Sequence, residues 1–209
     1  MFKEYWNKFY AKNKEQNLEP SLFASYVLSN FLKKGDDLIE LGCGNGRDAV
    51  YIAKHGINVL AVDQCDEGVL DLIEKYKLET LSFCNADFTL LSDDYLYNHI
   101  YSRFTIHSIS IEQEDRVINW AFKNLKAGGY FFIEVRGQKN EIYKLGTPVP
   151  DDPDAYIYED HYRRFINNEL LVKKMKDVGF SIIYNEEKKG FAPYRGEDQT
   201  FIRLICKKK

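Results

Sequence analysis

The chain has 209 residues, 44% of them hydrophobic and 29% charged, with 29 Lys and Arg against 32 Asp and Glu. That length suits one domain with a full core, and the composition argues against a disordered or membrane-spanning chain. A net charge of −3 argues against a general nucleic-acid binder, which is expected to be basic. Cys43, Cys65, Cys84 and Cys206 share no CxxC spacing, so no zinc knuckle is expected. The start, MFKEYWNKFYAKNK, lacks the apolar run of a secretory signal, and no segment approaches ~18 consecutive apolar residues. Reduced thiols and a soluble, cytoplasmic protein are the expectation.

Residues 1–34 read as an N-terminal helical segment. Its helix, Leu18 to Lys33, opens at Glu19-Pro20-Ser21, and Leu22, Phe23, Tyr26, Val27 and Phe31 recur at helical spacing. Asp37 to Leu41 is a short apolar strand, followed by a glycine-rich turn and a helix from Arg47 to His55. Asn58 to Val62 is the next strand, Glu67 to Tyr76 a helix and Thr80 to Cys84 a strand. Tyr97 to Ser102 is a fourth strand and Glu112 to Leu125 a helix; Gly128-Gly129 turns into the strand Tyr130 to Val135. Residues 137–165 hold Pro148, Pro150 and Pro153 and an acidic run, and read as an irregular insertion on the substrate side. Leu170 to Val178 is helical. Phe180 to Asn185 and Thr200 to Cys206 are two strands with no helix between them, a closing antiparallel hairpin. Lys207 to Lys209 read as a solvated tail. This alternation predicts one α/β domain over residues 1–209: a Rossmann-like, doubly wound, seven-stranded sheet with a reversed last strand and helices on both faces.

The chemistry concentrates at Glu40-Leu41-Gly42-Cys43-Gly44-Asn45-Gly46, between a strand and a helix. Glycines here permit positive φ and let a ligand approach the backbone. The acid ahead of them repels phosphate and suits an ammonium group, which favours a cationic amino-acid ligand over a dinucleotide. Asp63 ends the second strand, where an acid accepts from two ribose hydroxyls. Asp87 ends the third strand region, placed to accept from an adenine amine, and Phe88 can support the ring. A nucleoside and an ammonium are served without a phosphate site.

With these residues the sequence resembles the class I S-adenosylmethionine-dependent methyltransferases. The matching stretches are ELGCGNG (Glu40 to Gly46), VD (Val62-Asp63), ADF (Ala86 to Phe88) and LKAGGYFFIEV (Leu125 to Val135). The resemblance covers Pro20 to Lys207. It implies that Glu40 and the loop Gly42, Cys43, Gly44, Asn45 and Gly46 hold the methionine part of S-adenosylmethionine. It puts Asp63 and Gln64 at the ribose and adenine, Asp87 and Phe88 at the adenine, and Ser102 by the sulfonium. S-adenosylhomocysteine is the implied product. Asp48 reads equally as a helix N-terminal charge.

The segment Tyr101 to His107 follows the fourth strand and is expected to face the methyl group. It lacks the NPPY-type motif of the nucleic-acid and protein branches, and no metal-holding acids follow it, so a metal-independent reaction is expected. An oxygen acceptor needs a base. His107 is the first choice for that role and His161 the second. His55 and His99 read as structural. Arg103, Arg136, Arg163, Arg164 and Arg195, with Tyr158 and Tyr194, are the candidate substrate contacts, because guanidinium forks suit an anionic acceptor. Their alternative is pairing with Glu159, Asp160, Glu197 and Asp198. The stretch around His161 resembles a bacterial small-molecule subgroup, some of it linked to surface polysaccharide. The expectation is O-methylation of a small anionic metabolite, such as a phosphorylated sugar, a sugar nucleotide or a polysaccharide precursor. No nucleic acid or membrane partner is expected, and the protein would be a monomer or homodimer. N-methylation, a macromolecular acceptor and a silent cofactor-binding protein are the alternatives.

Overall fold

The computed structural model describes residues 19–209. Helix α1 (Leu22–Phe31) is capped by Ser21, whose side chain accepts from the Ala24 N–H. The expected start at Leu18 lies outside the described residues. Strand β1 (Asp37–Leu41) leads through the glycine turn to α2 (Arg47–Lys54) and β2 (Asn58–Asp63). Helix α3 (Asp66–Lys75), β3 (Leu81–Asn85), β4 (Tyr97–Arg103), α4 (Ile111–Asn124) and β5 (Leu125–Val135) continue the alternation. The chain closes with α5 (Asn168–Val178), β9 (Ser181–Lys188) and β10 (Phe201–Lys207).

The seven-stranded sheet runs β3-β2-β1-β4-β5-β10-β9. Pairs among the first five strands are parallel, and β10 lies antiparallel to both β5 and β9. One face packs Phe23, Val27, Ile52, Val59, Tyr101 and Phe132 under α1, α2 and α3. The other packs Ile39, Ile100, Ile118, Phe131, Leu171 and Leu204 under α4 and α5. Each strand feeds both cores because successive side chains point to opposite faces.

Three expectations are corrected. Gly128 and Gly129 do not precede β5 but sit in a bulge within it, where pairing slips between Tyr97↔Leu125 and His99↔Tyr130. A Cβ on Gly129 would lie 2.4 Å from the Asn98 carbonyl oxygen, so that approach requires glycine. Residues 137–165 are not irregular. They form an antiparallel sheet of β6 (Thr147–Val149), β7 (Asp152–Tyr158) and β8 (His161–Arg164). The prolines misled because Pro148 is on edge strand β6 and Pro153 lies where the β6–β7 register shifts. Lys207 and Lys208 are not a tail either: Lys207 pairs with Tyr130 and Lys208 Nζ donates to the Leu125 carbonyl. Among the described residues no helix is long and apolar enough to cross a membrane.

Candidate functional site

The glycine turn lies at the carboxyl end of β1. Gly42, Gly44 and Gly46 all have positive φ, at 74°, 55° and 71°. A Cβ on Gly42 would stand 2.3 Å from Thr105 Cγ2, so the turn after β4 closes directly on this loop. The N–H groups of Gly42 and Cys43 both donate to the Val62 carbonyl, which ties the loop to β2. Cys43 is buried, and burial raises its thiol pKa well above normal, so it is packing rather than a nucleophile. Asn45 accepts from the Arg47 N–H at 3.4 Å.

Three buried carboxylates surround the loop. Asp48 accepts from Ser21 N–H and Ser21 Oγ, each at 2.7 Å, and from Tyr101 OH at 2.9 Å. It therefore pins the start of α1 to α2 and β4, a role the sequence suggested only as a helix-end charge. Asp63 accepts from Gly44 N–H at 2.8 Å and Cys65 N–H at 3.0 Å. Burial raises its pKa, and these backbone donors oppose the shift. Glu40 is different: its Oε2 is buried with no hydrogen-bond partner. Burial, and then Asp48, push its pKa well above the usual carboxylate range. An orphaned buried carboxylate oxygen is costly unless a cation completes it.

Around this loop, Gln64 is half-buried beside Asp63 and Phe88 is buried. Asp87 caps a 3-10 turn, its Oδ1 accepting from Thr89 N–H and Oγ1 at 2.8 Å each. That turn occupies one of its oxygens. Ser102 is fully buried and shares a hydrogen bond with Thr105 at 2.5 Å. S-adenosylmethionine fits this set: an ammonium for Glu40, a ribose for Asp63, and a purine beside Phe88 and Asp87.

The candidate substrate residues divide. Arg103 is committed to an acid: its Nε donates to Glu134 Oε1 at 2.9 Å, and its guanidinium lies 4.0 Å over the Phe104 ring. Glu134 in turn accepts from Arg203 Nη2 at 2.6 Å, making a buried Arg–Glu–Arg set across β4, β5 and β10. Arg164 is also structural, buried on Glu114 and donating to the Ile109 carbonyl. Neither uses the acids expected from the sequence, because those acids lie at exposed turns. Tyr194 and Arg195 are at an exposed loop tip, away from any buried contact.

Arg136 and Arg163 remain. The Arg136 guanidinium donates to Asn140 at 3.0 Å and to Gln199, and stacks on Phe201 at 4.9 Å. Arg163 donates to the Tyr158 carbonyl at 2.6 Å. Asn140 and Gln199 were not singled out in the sequence, since neutral amides in loops carry no local signal.

Both catalytic candidates are buried. His107 lies in the 3-10 turn Ile106–Ser108. Its Nδ1 accepts from the Arg136 N–H at 3.1 Å. Burial first, then Arg136, hold its pKa well below normal. His161 is lowered to about 3 by burial, Arg163 and Arg136. His99 is structural as expected, its Nε2 donating to Asp36 at 3.0 Å. Beside this cluster Phe104 has φ of 61° and stacks on Phe201. A non-glycine residue in that conformation marks a strained backbone just after β4.

A parallel sheet with one reversed strand, a glycine loop and these carboxylates define a class I S-adenosylmethionine-dependent methyltransferase domain. A family model described as a methyltransferase domain matches residues 11–185, and the chain belongs to that family. It is 27% identical over 161 residues to phosphoethanolamine N-methyltransferase 1 of Zea mays, covering 75% of this chain and 30% of that protein. It is 27% identical over 113 residues to the cypemycin N-terminal methyltransferase of a Streptomyces species, covering 53% of this chain and 46% of that one. The chain thus spans less than half the length of these curated relatives. The fold also matches 1,6-didemethyltoxoflavin-N1-methyltransferase of Burkholderia thailandensis, solved with S-adenosylhomocysteine. That match has a TM-score of 0.75 and 15% identity, and covers all of this chain and 87% of that one.

Proposed function

We propose that the protein transfers a methyl group from S-adenosylmethionine to a small polar molecule carrying an anionic group. One observation carries the acceptor half of this reading. Among the described residues, the Arg136 guanidinium hydrogen-bonds neutral amides and no carboxylate. Burial, and then Arg163, lower its pKa to about 10. A phosphate or carboxylate would complete such a cation through charge-assisted bonds. Small metabolites with a phosphate or carboxylate set apart from the methylated atom have this character. Similarity to a phosphoethanolamine methyltransferase supports the same class, a small molecule with a phosphate.

The bound cofactor supplies a methyl group on a sulfonium, already activated for displacement. The protein's part is position and charge. Glu40 would hold the ammonium and Asp63 the ribose hydroxyls, and Thr105 closes the turn after β4 onto the loop. Strand β8 packs on the turn Ile106–Ser108, and in this reading it stands beside the acceptor.

Calorimetric titration with S-adenosylhomocysteine tests the cofactor half. Asp63→Ala should weaken binding about tenfold to a hundredfold, the worth of lost charge-assisted hydrogen bonds. The acceptor half is tested by kinetics on the substrate found by screening. Arg136→Gln should raise KM with kcat little changed, and an unchanged KM would remove the anionic acceptor.

A further inference from the structure

We infer that His107 is a fixed hydrogen-bond donor at Nε2, not a base, and that the acceptor is a nitrogen whose lone pair is free at neutral pH. This rests on the methyltransferase reading above. The ring's hydrogen bond among the described residues is at Nδ1, from the Arg136 N–H at 3.1 Å. A peptide N–H only donates, so Nδ1 is the acceptor and the neutral ring carries its hydrogen on Nε2. Protonating Nδ1 would set two N–H groups against each other across that distance.

The surroundings reinforce this state. Arg136 faces the ring from the end of β5, and His161, Arg163 and Arg164 face it from β8. Phe104 lies 5.8 Å away, centroid to centroid. Glu112, the acid closest in the chain, accepts from Ser110 Oγ at 2.7 Å, and Glu114 is engaged by Arg164 and Lys174. Among the described residues, the largest influences on His107 all disfavour its charged form. His161, held at about 3, is no better as a base. A base suited to an alcohol has a pKa near the working pH. An aliphatic hydroxyl therefore finds no proton acceptor among these histidines.

A nitrogen needs none. Its lone pair forms the new N–C bond, the C–S bond breaks with its pair passing to sulfur, and any hydrogen on nitrogen leaves to water as a proton. A carboxylate nucleophile is disfavoured for a different reason. Its charge is consumed in the transition state, so Arg136 and Arg163 would stabilise the ground state more. The same arginines suit an anionic group elsewhere on the acceptor, where its charge persists. His107 Nε2–H is then a positioning donor beside the reacting atom.

The first test is long-range 1H–15N NMR of the full chain with saturating S-adenosylhomocysteine, from pH 5.5 to 8.5. His107→Gln identifies the ring's signals. The expected result is a neutral ring with hydrogen on Nε2 throughout. Hydrogen on Nδ1, or titration near pH 6.5, would overturn the inference. The second test is labelled-methyl transfer to nicotinate, with a free ring nitrogen and an anion, and to glucose 1-phosphate, with hydroxyls and an anion. Label on nicotinate, kept within about fivefold in His107→Gln, is expected, since glutamine still donates. Label on glucose 1-phosphate that falls by roughly 10²–10⁴ in His107→Gln would make it a base. Failure to bind S-adenosylhomocysteine sinks the methyltransferase reading alone, and the tautomer is measured independently of it.

Discussion

Glu40 sits where a charge is costly to the protein alone, and the ammonium of the proposed ligand would relieve that cost. Its Oε2 is buried without a partner, and its nearest charged neighbour in effect is another acid, Asp48. Glu40→Gln keeps the shape and removes the charge. The variant should unfold at a higher temperature than the parent in the absence of ligand. It should also bind S-adenosylhomocysteine about tenfold to a hundredfold more weakly, because the ammonium loses its carboxylate. Differential scanning calorimetry with and without ligand checks both halves. A variant that binds normally would remove Glu40 from the cofactor site. Arg136 has the complementary character, a cation seated on amides and an aromatic ring.

At the scale of elements, charge crosses the sheet where the sequence looks apolar. Arg103, Glu134 and Arg203 are in register on β4, β5 and β10, with Arg203 also 4.8 Å over the Phe23 ring of α1. Glu134→Gln would leave two buried guanidinium groups without a carboxylate. The expected loss is about 3–5 kcal/mol in urea unfolding, the cost of breaking a buried pair from one side. The hairpin of β7 and β8 offers the opposite change. Its two turn residues, Glu159 and Asp160, have φ of 53° and 57°, between the paired Tyr158 and His161. Such turns favour Asn-Gly. Replacing the pair by Asn-Gly should raise stability by about 0.5–1 kcal/mol in the same assay.

Across the whole molecule, three buried histidines set the response to acid. His99, His107 and His161 all have pKa values held below the ordinary 6.5 by burial. The unfolded chain takes up protons there that the folded chain refuses. Their contribution is therefore complete above about pH 6.5 and is lost as pH falls below it, by up to about 1.4 kcal/mol per group per pH unit. Glu40, Asp63 and Glu134, all raised first by burial, oppose this trend within the carboxylate range and above it. His161, lowered to about 3, contributes a melting temperature that falls between pH 7 and 5.5. His161→Gln should flatten the curve, and an unchanged slope would contradict the buried neutral ring.

Local pattern carried most of this architecture. The strand-turn-helix around Glu40 to Gly46, the acid at Asp63 and the helixless final pair of strands all follow from short-range spacing, because backbone geometry at a glycine turn and the periods of helix and strand are local properties. The small sheet of residues 147–164 was hidden, since proline counts mark chain breaks without revealing which edges will pair. The roles of the arginines were hidden for a deeper reason. Whether Arg103, Arg164 or Arg136 meets a carboxylate depends on partners 31, 50 and 63 residues away, brought together only when the strands take their order. The tautomer of His107 depends likewise on one peptide N–H at the end of β5. Sequence by itself determined the class of fold and the cofactor loop. Only the tertiary structure decided which charges are neutralised and which are seated on neutral groups, because pairing in a buried site is a matter of distance in space.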